Sequence, residues 1–321
     1  MKQLFLLFTG VLLSCQLTFA QQDPLFAQYN SNAFLINPAI AGSKGNHSFN
    51  LFHRWQWVSF PGAPQTFGLT YQGLIKDLHG IGALIFGDIT GPSARWGGKL
   101  SYAFHIPLAN RKMRLSIGLA GRVAYNTIRT DQIHLINPTD QAVVNADRGV
   151  ASADAEFGIS FYTKKLRVGF SAPNLIQTRI DYGELTQGRS IVGLGYRHYF
   201  LMGSYKISIA KDKMILEPSV MVKYVQGNLP QVDGGLTLHL LKNQLAFGLF
   251  YRSPAFLSFQ SRLLFDNKIP VLIGFDIALN NFQQHSVGST ELMLGYETPR
   301  MDLFGEYIEP SENETVPSGN L

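Results

Sequence analysis

Hydrophobic and polar residues alternate along most of this chain with a period of two. Between Met113 and Tyr125, Leu115, Ile117, Leu119, Val123 and Tyr125 fall on one side, while Arg114, Ser116 and Arg122 fall on the other among small residues. The same alternation sets Trp96, Leu100, Tyr102 and Phe104 against Arg95, Lys99, Ser101 and His105. It sets Phe157, Ile159 and Phe161 against Glu156 and Ser160, and Val232, Leu236, Leu238 and Leu240 against Asp233, Thr237 and His239. Period two is the mark of a strand with one apolar face, because successive side chains leave the backbone on opposite sides. About fourteen such segments are predicted, beginning near residues 47, 65, 80, 94, 113, 153, 165, 197, 214, 231, 244, 256, 270 and 289.

The connections between these segments alternate in length. Residues 164–165, 210–213, 242–243 and 266–268 are tight and fall at even positions, whereas 127–152, 173–196 and 280–288 are long and fall at odd ones. Residues 227–230 and 253–255 are short odd connections. An even number of antiparallel strands with short turns at one end and longer loops at the other is the plan of a single-chain outer-membrane barrel. The fold class expected is therefore all-β, a transmembrane antiparallel barrel of about 14 strands.

A soluble β-sandwich or lipocalin-like protein shares the alternation, so the identity of the residues on each face decides. The polar face carries both signs of charge, including Arg95, Arg114, Arg122, Glu156, Glu217, Lys223, Asp233, Arg252, Arg262, Asp276 and Glu291, while the apolar face is nearly free of charge. A lipid-facing belt enforces that exclusion, because an Arg or Lys at its mid-depth costs roughly 2–4 kcal/mol. Arg95, Arg114, Arg122, Glu156, Asp233, Arg252 and Glu291 are accordingly the candidates to line the lumen. Trp55, Trp57, Phe60, Trp96, Tyr102, Tyr125, Tyr199 and Tyr251 are the candidates for the aromatic girdles at the two interfaces.

Composition agrees with this picture. Of 321 residues, 15% are charged and 12% aromatic, and there are 31 glycines, a profile of strands and tight turns. The formal charge of +5 is scattered along the chain, which speaks against a nucleic-acid partner. Residues 1–20 run from Lys2 through the apolar stretch Leu4 to Leu13 to Thr18, Phe19 and Ala20, the layout of a secretory signal. Cleavage is expected after Ala20, with lipidation at the single cysteine, Cys15, as the alternative. Past the signal no stretch approaches the roughly 20 apolar residues of a spanning helix, so the membrane must be crossed by a closed barrel.

Catalytic and metal chemistry find little support. The eight histidines form no His-x-x-x-His pair, and there is no Gly-x-Ser-x-Gly elbow and no phosphate loop. Neither a catalytic residue, a metal ligand nor a cofactor is expected. Glu156, Asp233 and Glu291 are expected to be neutralised by Arg114, Arg122 and Arg252 instead of acting as acid and base. Residues 23–45 are not strand-like, and Asn37, Pro38 and Gly42 suit turns. That segment is long enough either to enter the lumen or to lie along the periplasmic rim as a partner surface.

Several stretches taken in order resemble a known family. "DPLFAQYNSNAFLINPAIAGSKG" at 23–45, followed by Arg54, Trp57 and "GAPQT" at 62–66, then "ADAEFGISFYTKKLRVGFSAPNLI" at 153–176, "EPSVMVKYVQGNLPQVD" at 217–233, "YRSPAFLSF" at 251–259 and "IGFDIAL" at 273–279, are similar to the PorP/SprF family of Bacteroidetes outer-membrane proteins linked to type IX secretion. The resemblance covers nearly the whole mature chain. It implies an outer-membrane barrel working with the secretion and gliding machinery, with outer-membrane lipid, periplasmic type IX components and an exported cell-surface protein as partners. The role implied is helping to secrete or anchor that surface protein through its C-terminal domain. Asn37, Pro38, Gly42, Arg54 and Trp57 are the family-motif residues expected to serve partner contact. The alternative function is an outer-membrane channel or hydrophobic-solute transporter. The organisation expected is a signal peptide over 1–20, a periplasmic or lumenal lead-in over 21–46, the barrel over 47–300 and a polar tail over 301–321.

Overall fold

In the computed structural model the described residues are 32–304 except 130–148, 186–188, 210–212, 254, 281–282, 284–285 and 300–302. The expected signal with Cys15, the start of the lead-in, most of the 127–152 connection and the tail past residue 304 lie outside them.

The strands come in chain order. The first run is β1 (Ser48–Val58), β2 (Gln65–Ile75), β3 (His79–Thr90), β4 (Ser93–Leu108), β5 (Met113–Ile128), β6 (Val150–Thr163) and β7 (Leu166–Ala172). A separate hairpin follows, β8 (Arg179–Leu185) with β9 (Arg189–Leu194), and then β10 (His198–Tyr205) and the two-residue β11 (Ile207–Ser208). The last run is β12 (Met214–Val225), β13 (Gln231–Leu240), β14 (Leu245–Arg252), β15 (Phe256–Phe265), β16 (Ile269–Ala278) and β17 (Gly288–Glu297).

Apart from β8, β9 and β11, each strand pairs antiparallel with its neighbours in sequence, and β1 pairs with β17 to close a 14-stranded barrel. Every predicted strand start falls within three residues of an observed one. The largest difference is at β6, expected at 153 and beginning at Val150. The turns over 76–78, 109–112, 164–165, 241–244 and 266–268 gather at the end of the barrel where β1 begins and β17 ends, and the long connections gather at the other. By the loop-length rule the short-turn rim is the periplasmic one.

The wall alternates as the sequence predicts. On β5 the outward residues Ile117, Leu119, Val123 and Tyr125 are exposed, and the inward ones Arg114, Ser116, Gly118, Ala120 and Ala124 are buried. Two aromatic girdles frame the apolar belt. Near the external rim Phe67 meets Trp96 edge-on at 5.2 Å, and Tyr199 stacks on Tyr224 at 6.1 Å. Near the periplasmic rim Tyr71 packs on Phe49 at 4.8 Å, and His79 lies 6.0 Å from Tyr102. No helix among the described residues is long and apolar enough to cross a membrane; the strands do so. Leu100, at the middle of β4 and 73% exposed, marks the centre of the belt. Replacing it with Arg is expected to destabilise the barrel by roughly 2–4 kcal/mol in urea titrations in lipid vesicles. An unchanged midpoint would place that residue away from lipid.

Candidate functional site

The inner face of a barrel this wide ordinarily meets water. Here the inward residues of β1 to β6 are buried, because residues 32–46 fold inside the lumen against them. Two short 3-10 turns, Ala33–Leu35 and Pro38–Ile40, shape this plug, and Asn37 caps the second by accepting from the Ala39 amide at 2.9 Å. Pro38 opens that turn with the fixed φ that its first position favours.

The wall is built to receive the plug. A Cβ at Gly80 would lie 2.0 Å from the Ala41 carbonyl oxygen, one at Gly118 2.3 Å from the Ala39 nitrogen, one at Gly158 2.1 Å from Asn37 Oδ1 and one at Gly82 2.4 Å from the Phe34 ring. These glycines on β3, β5 and β6 form a notch into which the plug backbone presses, the close approach that only a residue without a side chain permits. Gly42 sits at φ +76° and against Gly73, so neither its backbone nor its surroundings accept a larger residue.

Polar side chains of the wall satisfy the carbonyls that the 3-10 turns leave open. Ser171 Oγ donates to the Ile36 carbonyl and Ser116 Oγ to the Ala39 carbonyl, both at 2.6 Å. Lys99 Nζ donates to the Leu35 carbonyl at 3.0 Å and lies 5.3 Å from the Phe34 ring centre. Asn37 Nδ2 donates to the carbonyls of Ile159 and Phe170, both at 3.2 Å, tying the plug to β6 and β7. His105 Nε2 meets the Ala41 carbonyl at 2.8 Å and its Nδ1 meets the Tyr162 hydroxyl at 2.9 Å. Since a carbonyl only accepts, the proton is on Nε2, and Tyr162 donates to Nδ1. Apolar contacts complete the seat: Phe34 and Ala41 join Phe52, Leu84, Phe86 and Leu272, and Ala33 and Ile40 join Phe200, Met202 and Met221.

The candidate residues fall into three places. Asn37, Pro38 and Gly42 are in the plug, and Asn37 is 0% exposed, so the rim placement kept open for this segment does not apply to them. Arg54 is buried in the lumen, donating to Asp276 at 2.7 Å and Glu291 at 3.0 Å. Trp57 is half-buried at φ +55° where the β1 register breaks, edge-on to Phe60 at 6.5 Å. Arg95 faces inward near the external end of β4 with its guanidinium 5.6 Å from the Phe86 ring centre.

The ion pairing follows the expected partners in part: Arg122 meets Glu156 and Arg252 meets Asp233, whereas Arg114 meets neither. Glu156 pairs with Lys99 at 2.9 Å and more distantly with Arg122 at 3.9 Å. Lys99 and Arg122 are opposite each other on β4 and β5, so the carboxylate offsets a like-charge pair. Asp233 pairs with Arg252 at 2.8 Å, and Arg252 also reaches Asp276 at 3.6 Å. Glu291 is held by Arg54 at 3.0 Å. Arg114 neutralises none of these carboxylates; it donates to backbone carbonyls, Leu303 through Nε at 3.1 Å and Nη2 at 2.8 Å, and Asp77 through Nη1 at 2.6 Å.

Phe34, Leu303 and Phe304 were not singled out by the sequence, and Lys99 and His105 carried only their place on the polar face. Asp276 carried only a lumen-facing parity, and nothing in the run around Leu303 marks it as buried. Where the plug does not reach, on the periplasmic halves of β12, β13 and β15, inward Glu217, Thr237, His239, Gln260 and Arg262 remain half-buried. Among the described residues no group of three or more His, Cys, Asp or Glu side chains is placed to hold a metal ion.

Three solved structures are similar to this chain. The toluene transporter TbuX of Ralstonia pickettii is 10% identical with a TM-score of 0.50, over 84% of this chain and 93% of that one. The toluene transporter TodX of P. putida is 11% identical with a TM-score of 0.46, over 83% and 94%. The Acinetobacter baumannii outer membrane protein Omp33 is 8% identical with a TM-score of 0.43, over 80% and 100%. At such identities the likeness to TbuX carries the fold alone. No curated protein matches the sequence. The profile of the family described as "Type IX secretion system membrane protein PorP/SprF" matches residues 18–296. A closed barrel with an apolar outer belt and that family match together place the protein in the outer membrane, and the chain belongs to the PorP/SprF family of type IX secretion system membrane proteins.

Proposed function

We propose that this barrel has a non-enzymatic role in type IX secretion, helping to secrete an exported cell-surface protein or to hold it at the surface through its C-terminal domain. In this reading the periplasmic turns face the secretion components. The long external connections, including the β8/β9 hairpin, face the exported protein, and gliding depends on what is displayed. The observation that supports it is the plug: a lumen filled by the chain's own segment, with glycines cut into the wall to admit it, suits a docking component better than a standing pore.

Deleting the gene should abolish or strongly reduce surface display of a type IX substrate while other outer-membrane barrels stay at their normal level. Unchanged display of every such substrate would refute the role.

The channel or hydrophobic-solute transporter reading draws on the half-buried inward polar residues of β12, β13 and β15 and requires the plug to move. Steady conductance of the purified intact protein in planar bilayers would favour that reading over ours.

A further inference from the structure

Beyond β17, Leu303 and Phe304 lodge in the periplasmic mouth. Leu303 is buried with Leu74 and Tyr162, and Phe304 packs edge-on to the Tyr162 ring at 6.3 Å. The charge at the floor of this pocket is Arg114, which is 1% exposed. Among the described residues it has no carboxylate within ion-pair distance: Asp77 meets it through its backbone, while the Asp77 side chain lies 3.5 Å from Arg111.

A buried guanidinium that meets carbonyls and no carboxylate among the described residues is under-compensated, because a carbonyl dipole offsets its charge less than an anion does. The geometry also leaves room for a better ligand. Nε and Nη2 both donate to the single oxygen of Leu303, whereas a carboxylate gives each N–H its own oxygen in the two-pronged pairing that arginine favours.

We infer that this pocket is a docking site for the C-terminal carboxylate of a periplasmic protein ending in an aliphatic residue, and that Leu303 and Phe304 occupy it in the partner's absence. The aliphatic side chain fills the Leu303 position against Leu74 and Tyr162, and the terminal carboxylate lies where the Leu303 carbonyl now sits. The inference uses only the periplasmic position of the short-turn rim and is independent of which exported protein the barrel serves.

The test uses a dye-labelled Arg-Met-Asp-Leu peptide, the order of residues 300–303, as free acid and as amide. It is titrated by fluorescence anisotropy onto the full chain in detergent and onto the full chain carrying Leu303→Ala with Phe304→Ala. The free acid should bind the double variant at least about tenfold tighter than the amide. It should also bind the unaltered chain at least about tenfold more weakly than the variant, because the chain's own segment competes. Arg114→Lys in the same background should erase the acid-over-amide preference. Equal binding of acid and amide, or no binding, by a variant that keeps its heat-modifiable barrel mobility overturns the inference. Phe304→Ala alone gives the same comparison if the double variant does not fold. Because binding is read on the isolated barrel, its failure leaves the secretion role standing, and loss of that role leaves this result unaffected.

Discussion

A chain carrying Gly80→Val and Gly118→Val is expected to lose its plug. Both positions face the plug backbone, where an added Cβ would lie 2.0 Å from the Ala41 oxygen and 2.3 Å from the Ala39 nitrogen, so neither clash is relieved by a side-chain rotation. Overpacking of this kind costs about 1–3 kcal/mol per site and sometimes more. It also displaces the two residues whose carbonyls Ser116 and His105 hold, and each of those bonds contributes about 0.5–1.5 kcal/mol. The barrel wall, whose ladders do not involve the plug, should persist. The predicted readouts are a change from a silent to a conducting barrel in planar bilayers and rapid trypsin cleavage after Lys44. A variant that stays silent and resistant would mean that the notch does not seat the plug.

Arg54→Ala is expected to destabilise the folded barrel by about 3–5 kcal/mol, the range for removing one partner of a buried ion pair. Arg54 lies directly opposite Glu291 across the β1–β17 seam and reaches Asp276 on the next strand. Without it, two buried carboxylates on adjacent strands lose the guanidinium they share, and Asp276 keeps Arg252 at 3.6 Å. The combination Arg54→Met, Asp276→Asn and Glu291→Gln removes the charges together and should recover most of the loss, since the penalty is that of an uncompensated charge rather than of a missing contact. Urea unfolding in vesicles measures both. Equal destabilisation by the single and triple variants would point to packing of the arginine stem instead.

The barrel itself was legible because lipid imposes a rule on every strand: an outward Arg or Lys is penalised, so the belt prints a period-two pattern that Leu115, Ile117 and Leu119 display without any knowledge of pairing. Lumenal pairing was not legible in the same way. That Arg54 meets Glu291 follows from the register of the first and last strands, which residues 237 positions apart in the chain do not announce. Parity placed Arg114 inward, but its partner is a backbone carbonyl supplied by a segment that returns from beyond β17. The plug was half legible. Asn37, Pro38 and Gly42 read as turn residues, and only the close approach at Gly80, Gly118 and Gly158 distinguishes a segment seated inside the wall from one lying on its rim.

The most direct test of the central claim is an affinity purification of the tagged, full-length protein from detergent-solubilised outer membranes, with the co-purifying proteins identified by mass spectrometry. The account predicts recovery of an exported surface protein, lost when that protein's C-terminal domain is deleted, together with periplasmic type IX components. A barrel that purifies alone and conducts steadily in planar bilayers would contradict it.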